Sequence, residues 1–102
     1  MSHFVYKLTP PRPTFDKDMS EAEAGVMAQH AAYWMELLAQ RRVLVFGPVG
    51  DPAGVWGLAI VETDTYDDAH ALAVDDPAVI SGVCTFELHP MAAVLPTDVA
   101  HP

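Results

Sequence analysis

The chain has 102 residues, 51% of them hydrophobic, with 14 acidic side chains against 5 basic ones and a formal net charge of −9. That length suits one domain with a modest core, and that charge repels phosphate backbones and anionic lipid, so neither a nucleic-acid nor a membrane partner is expected. No apolar run approaches the ~20 residues a spanning helix needs, and one cysteine, Cys84, with no secretory pattern in MSHFVYKLTP, points to a reducing cytoplasm.

His3 to Leu8 alternates, with Phe4, Tyr6 and Leu8 on one side and Val5 and Lys7 on the other, which predicts a strand. Pro10, Pro11 and Pro13 end it, because none can donate to a ladder, and a loop is expected through Asp18. Ser20-Glu21-Ala22-Glu23 is a capping box that opens a helix running to about Gln40. Met27, Ala31, Trp34 and Leu38 form its expected apolar stripe, with His30 at the margin.

Val43 to Phe46 is a short apolar run closing on Gly47-Pro48. Turn chemistry at Gly50-Asp51-Pro52-Ala53-Gly54 leads to a second run, Val55 to Val61, so a hairpin is predicted. The second run barely alternates, as expected of a central strand covered on both faces. Thr65, with Asp67 and Asp68 behind it, starts a second helix whose narrow apolar face is Ala69, Leu72 and Ala73. Pro77 is expected to stop that helix. Val83 to Leu88 is the last predicted strand, and Met91 to Pro102 reads as a partly ordered tail.

The order β-α-β-β-α-β predicts a ferredoxin-like α+β domain over 1–102, with its core at about 3–90. It implies a four-stranded antiparallel sheet with two helices on one face. The other sheet face then needs cover, and a second copy packed by two-fold symmetry provides it, so a homodimer is expected.

His30 is the residue of greatest chemical interest. A helix-face histidine satisfied by a neighbour is the bland reading; a general acid or base with its tautomer fixed by a carboxylate is the functional one. Asp76 is the carboxylate to pair with it, since the residue before Pro77 is held extended and projects away from the helix ending there. Asp75 is a competing neighbour, and Asp51 reads as a hairpin turn residue.

Cys84 reads as a small hydrophobe without a local cation to activate it. His3, His70, His89 and His101 lack the spacing of a metal motif, although His3 and His89 would approach if the first and last strands were antiparallel neighbours. No phosphate loop, dinucleotide fingerprint or nucleophile elbow occurs, so no metal and no cofactor is expected. Trp34, Phe46 and Trp56 are expected in the core or, with Gly47, Pro48 and Pro77, around an apolar pocket for a small-molecule ligand.

Taken in order, Gln29-His30, Gly47-Pro48, Gly54 and Gly57, Asp76-Pro77, Gly82 and a last strand closing on Pro90 make the chain similar to the YciI (YCII-related) family from Phe4 to Pro90. The resemblance implies a ferredoxin-like fold of the dimeric α+β barrel type and a His-Asp site falling on His30 and Asp76. It also implies, from one member class, dehydrochlorination of a ring compound. Two departures stand out. Ala78 replaces the bulky aromatic common after Asp-Pro in the family, which is expected to alter the pocket. The Pro10–Asp18 loop is also longer than the family pattern and is expected to lie over the site.

The resulting expectation is a small enzyme that uses His30 and Asp76 for elimination, isomerisation or hydrolysis on a small cyclic or aromatic molecule. A non-catalytic ligand-binding or accessory dimerisation module is the alternative, and a pure scaffold would require Trp34 and Trp56 to fill the pocket.

Overall fold

A computed structural model describes residues 1–94. Most of the expected C-terminal tail, His101 included, lies outside the described residues.

Four strands form the sheet: β1 (Ser2–Thr9), β2 (Val43–Val49), β3 (Trp56–Thr63) and β4 (Thr85–Pro90). They pair antiparallel in the order β2-β3-β1-β4. This is the expected ferredoxin-like α+β arrangement. Tyr6 lies opposite Ala59 and Leu88, so the alternation in β1 carries directly into one buried face. Val5, Leu58 and Ile60 lie on the opposite, helix-free face and are only half-buried. Both sheet edges contain an exposed proline, Pro48 in β2 and Pro90 in β4.

The helices depart from expectation in instructive ways. The Pro10–Asp18 segment is not loop throughout: α1 (Phe15–Asp18) is a single turn that plants a buried Phe15. Helix α2 (Glu21–Ala39) begins at the predicted capping box. The Ser20 hydroxyl accepts from the Glu23 amide at 3.1 Å, and Glu23 accepts from the Ser20 amide at 2.8 Å. Its buried residues are Trp34 and Leu37, with Met27 and His30 half-buried, so the inward stripe runs 27, 30, 34, 37. His30 therefore stands inside the stripe rather than at its margin, and Leu37 replaces Leu38 as the core residue. A histidine is tolerated there because its inward nitrogen has a buried partner.

Helix α3 (Tyr66–Val74) buries Ala69, Leu72 and Ala73 as predicted. Pro77 does more than end it. The residue opens a further helical turn, α4 (Pro77–Ile80), where the absent N–H is no loss and Asp76 is the N-cap. The core lies between sheet and helices, with Trp34 among Tyr6, Ala59, Val61 and Leu72.

The capping box sets where α2 starts and hence the phase of His30. Ser20→Ala should cost about 1 kcal/mol, lowering Tm by roughly 4–8 °C for a domain of this size. Thermal melts followed by circular dichroism test this, and an unchanged Tm would mean that the box contributes nothing to the fold.

Candidate active site

A buried carboxylate must have its oxygens satisfied, or its desolvation would cost more than the fold can supply. Asp76, with 0% of its side chain exposed, meets that condition with four donors. Its Oδ2 accepts from the Tyr6 hydroxyl at 2.8 Å, the Trp34 indole N–H at 2.7 Å and His30 Nδ1 at 2.8 Å. Its Oδ1 accepts from the Ala78 amide at 2.8 Å and lies 3.0 Å from His30 Nδ1. One strand, the long helix and the turn opening α4 thus meet on a single side chain.

His30 and Trp34 reach it together because they are four residues apart on α2. Asp76 reaches it as N-cap, with extended φ/ψ of −60° and 126°. Burial pushes the Asp76 carboxyl up, but donors from His30 and Trp34, the His30 charge and the Ala78 amide outweigh it and hold the group below its ordinary value. Tyr6 moves the other way: burial, then the Asp76 charge, keeps its hydroxyl protonated as a donor.

A carboxylate only accepts, so Nδ1 of His30 carries the proton. Among the described residues no hydrogen bond engages Nε2, and His30 lines an apolar cavity of about 280 Å³. Trp34, Phe46, Gly47, Pro48 and Trp56 are among the residues that line it. Three details differ from expectation. Asp76 does not line the cavity; it sits behind His30, sealed by its own donors. Pro77, one residue further along the same turn, is likewise away from the wall. Trp56 shares its strand face with Leu58, and its ring lies 4.7 Å below Lys7 Nζ while its N–H donates to Asp51 at 3.1 Å, so the indole is committed elsewhere.

Ala78 is fully buried and lies outside the lining. The cavity is open rather than filled by Trp34. Pro10, Phe15 and Asp16 from the Pro10–Asp18 segment, and Met19 just after it, form part of its wall. Sequence reading missed Tyr6 as a member of the carboxylate network. The available signal was a tyrosine on the buried side of a strand, whose hydroxyl needs a partner.

The other candidates are spoken for. Asp51 accepts from the Ala53 amide at 2.9 Å in the hairpin turn. Strands β1 and β4 are neighbours, but His3 pairs with Glu62 at 2.7 Å and His89 with Glu87 at 3.2 Å. No group of three metal-ligating side chains occurs among the described residues. Cys84 is buried, and burial followed by the Asp76 charge pushes its thiol up to about 11, which opposes thiolate chemistry.

Because the Asp76 pKa is depressed in the folded state, its contribution to stability is present above the unfolded value of about 3.9 and is lost as pH falls through the folded value. Asp76→Asn lacks this dependence. The stability gap between wild type and variant, from urea unfolding at a series of pH values, should therefore narrow below about pH 4. A gap that stays constant under acid would contradict the ionised network. Asp76→Ala, which strands the donors of Tyr6, Trp34 and Ala78, should cost about 3–5 kcal/mol.

Comparison with known proteins follows from this geometry. No curated protein sequence matches the chain significantly. Among solved structures, it is similar to 5-chloro-2-hydroxyhydroquinone dehydrochlorinase from Burkholderia phenoliruptrix AC1100, solved in complex with 2,5-dihydroxybenzoquinone. The match has a TM-score of 0.64 and 20% identity, and covers 92% of this chain and 96% of that one. At that identity the likeness is one of fold. The YCII-related domain model matches residues 5–92, and the chain therefore belongs to the YCII-related domain family.

Proposed function

We propose that this protein is a small-molecule enzyme in which His30 is the general acid/base and Asp76 its positioning partner. The observation that carries this reading is the division of the imidazole. Nδ1 is fixed against a buried carboxylate, while Nε2 makes no hydrogen bond among the described residues and the residue lines an apolar cavity. Holding the tautomer and stabilising the imidazolium that forms on proton uptake is what a buried carboxylate does for a catalytic histidine. An engineered cavity of about 150 Å³ admits benzene, so about 280 Å³ accommodates a substituted single ring.

The reaction class is elimination or isomerisation on a cyclic or aromatic molecule. In an elimination, Nε2 takes the proton, the released electron pair forms a new π bond, and the leaving group departs with its own bonding pair. In an isomerisation, the same imidazolium returns the proton at a different atom. The activity of the dehydrochlorinase with the similar fold supports elimination from a hydroxylated ring. Hydrolysis would further require a water held within reach of Nε2. A cytoplasmic setting is part of the proposal, as the buried Cys84 thiol suits a reducing compartment, and no helix among the described residues is long and apolar enough to cross a membrane.

The working unit is proposed to be a homodimer joined through the helix-free sheet face, where Val5, Leu58 and Ile60 lack cover from this chain's helices. Sedimentation equilibrium should give twice the 11.0 kDa chain mass, and Ile60→Glu should return it to the monomer. A wild-type monomer at micromolar concentration would defeat this part.

For the chemistry, the experiment is a panel of hydroxylated and chlorinated aromatics and small lactones, screened by thermal shift and then by turnover. His30→Ala should keep the thermal shift and lose about 10²–10⁴-fold in kcat. Turnover that survives His30→Ala would overturn the mechanism. Binding without turnover anywhere in the panel would assign the chain to the ligand-binding module instead.

A further inference from the structure

The outer wall of the cavity comes from the segment between β1 and α2, and that segment is clasped by one arginine. Arg12 donates to Asp18 at 2.7 Å and to both carboxylate oxygens of Glu23 at 2.8 and 2.9 Å. Glu23 is the capping-box residue of α2, so the segment is tied to the helix that carries His30. The clasp also consumes the Arg12 charge. Asp16, exposed and two residues before Asp18, accepts no side-chain hydrogen bond and has no ion pair among the described residues, and it stands at the rim of the cavity lining.

Apart from the ionisable His30, Asp16 is the one residue in the described lining that carries a formal charge. Lys7, Arg12, Lys17, Arg41 and Arg42 all lie outside it, so apart from His30 nothing in the wall offers an anion a cationic partner. An unneutralised carboxylate beside an apolar pocket has two effects on a ligand. It repels like charge, and it accepts hydrogen bonds from hydroxyl or amino groups.

We propose that Asp16 is a specificity-determining residue of this cavity, admitting uncharged rings that bear a hydroxyl or amino donor and turning away carboxylated rings. This rests on the reading of the cavity as a ligand site, and it narrows the substrate class to neutral hydroxylated or aminated single rings. Asp16 would receive the donor at the outer wall, while the imidazole of His30 meets another part of the ring.

The test is calorimetric binding of hydroquinone, aniline and benzoate to the full chain and to Asp16→Asn, at low and high salt. Wild type should prefer hydroquinone and aniline to benzoate. Asparagine keeps an acceptor but removes the charge, so Asp16→Asn should leave hydroquinone affinity nearly unchanged. Benzoate affinity should rise about threefold to fivefold, the upper end for an exposed charge. That gain should shrink at high salt, because exposed charges are screened. Equal wild-type affinity for benzoate and hydroquinone, or an unchanged ratio in Asp16→Asn, would overturn the assignment. If that ratio is unchanged while His30→Ala still abolishes turnover, the specificity role fails and the acid/base reading stands. If no probe binds either protein, both fail.

Discussion

The architecture depends on a single ionised group held out of water. A carboxylate with no solvent exposure survives only where donors surround it, and Asp76 draws those donors from three separate parts of the chain. Tyr6 fixes the register of β1 beneath α2, Trp34 and His30 fix the rotation of α2, and the Ala78 amide fixes the turn into α4. Each donor is directional in a way that apolar packing is not. The network thus specifies how sheet, helix and turn meet, and an apolar replacement would leave that arrangement less defined.

The same constraint prepares the imidazole. A histidine on the inward stripe of a helix would ordinarily be an isolated polar group among Met27, Trp34 and Leu37. Because Asp76 satisfies Nδ1, the ring is held in one orientation before any ligand arrives. Under the proposed mechanism, little rearrangement would then be needed at proton transfer, which is the general advantage of a preorganised site. In that proposal, stability and chemistry share one set of hydrogen bonds.

Much of the fold was legible because its signals are local. Alternation in Phe4-Val5-Tyr6-Lys7-Leu8, the capping box at Ser20 and the turn residues around Asp51 each specify their own few residues. What was misread depended on tertiary partners. The α2 stripe looks equally good ending on Leu37 or Leu38, and only the sheet beneath it chooses between them. The single turns α1 and α4 are too short for periodicity to reveal. Pro77 reads as a stop because the helix it ends is visible in sequence and the helix it begins is not. The His30–Asp76 pairing spans 46 residues and rested on the extended residue before Pro77 together with the family pattern, whereas Tyr6 carried no motif at all.

The prolines at the two ends of the strand order bear on the behaviour of this chain at high concentration. An edge strand exposes unpaired amides and carbonyls on which another molecule's strand can template. Pro48 and Pro90 have no N–H to offer such a strand, and the irregular register between Val43 and Val45 further breaks the outer line of β2. Lateral growth into a continuous ribbon, the route to fibrils, is therefore interrupted on both flanks. For a chain that is half hydrophobic, the association proposed through the helix-free sheet face would be closed and finite, whereas edge pairing would not.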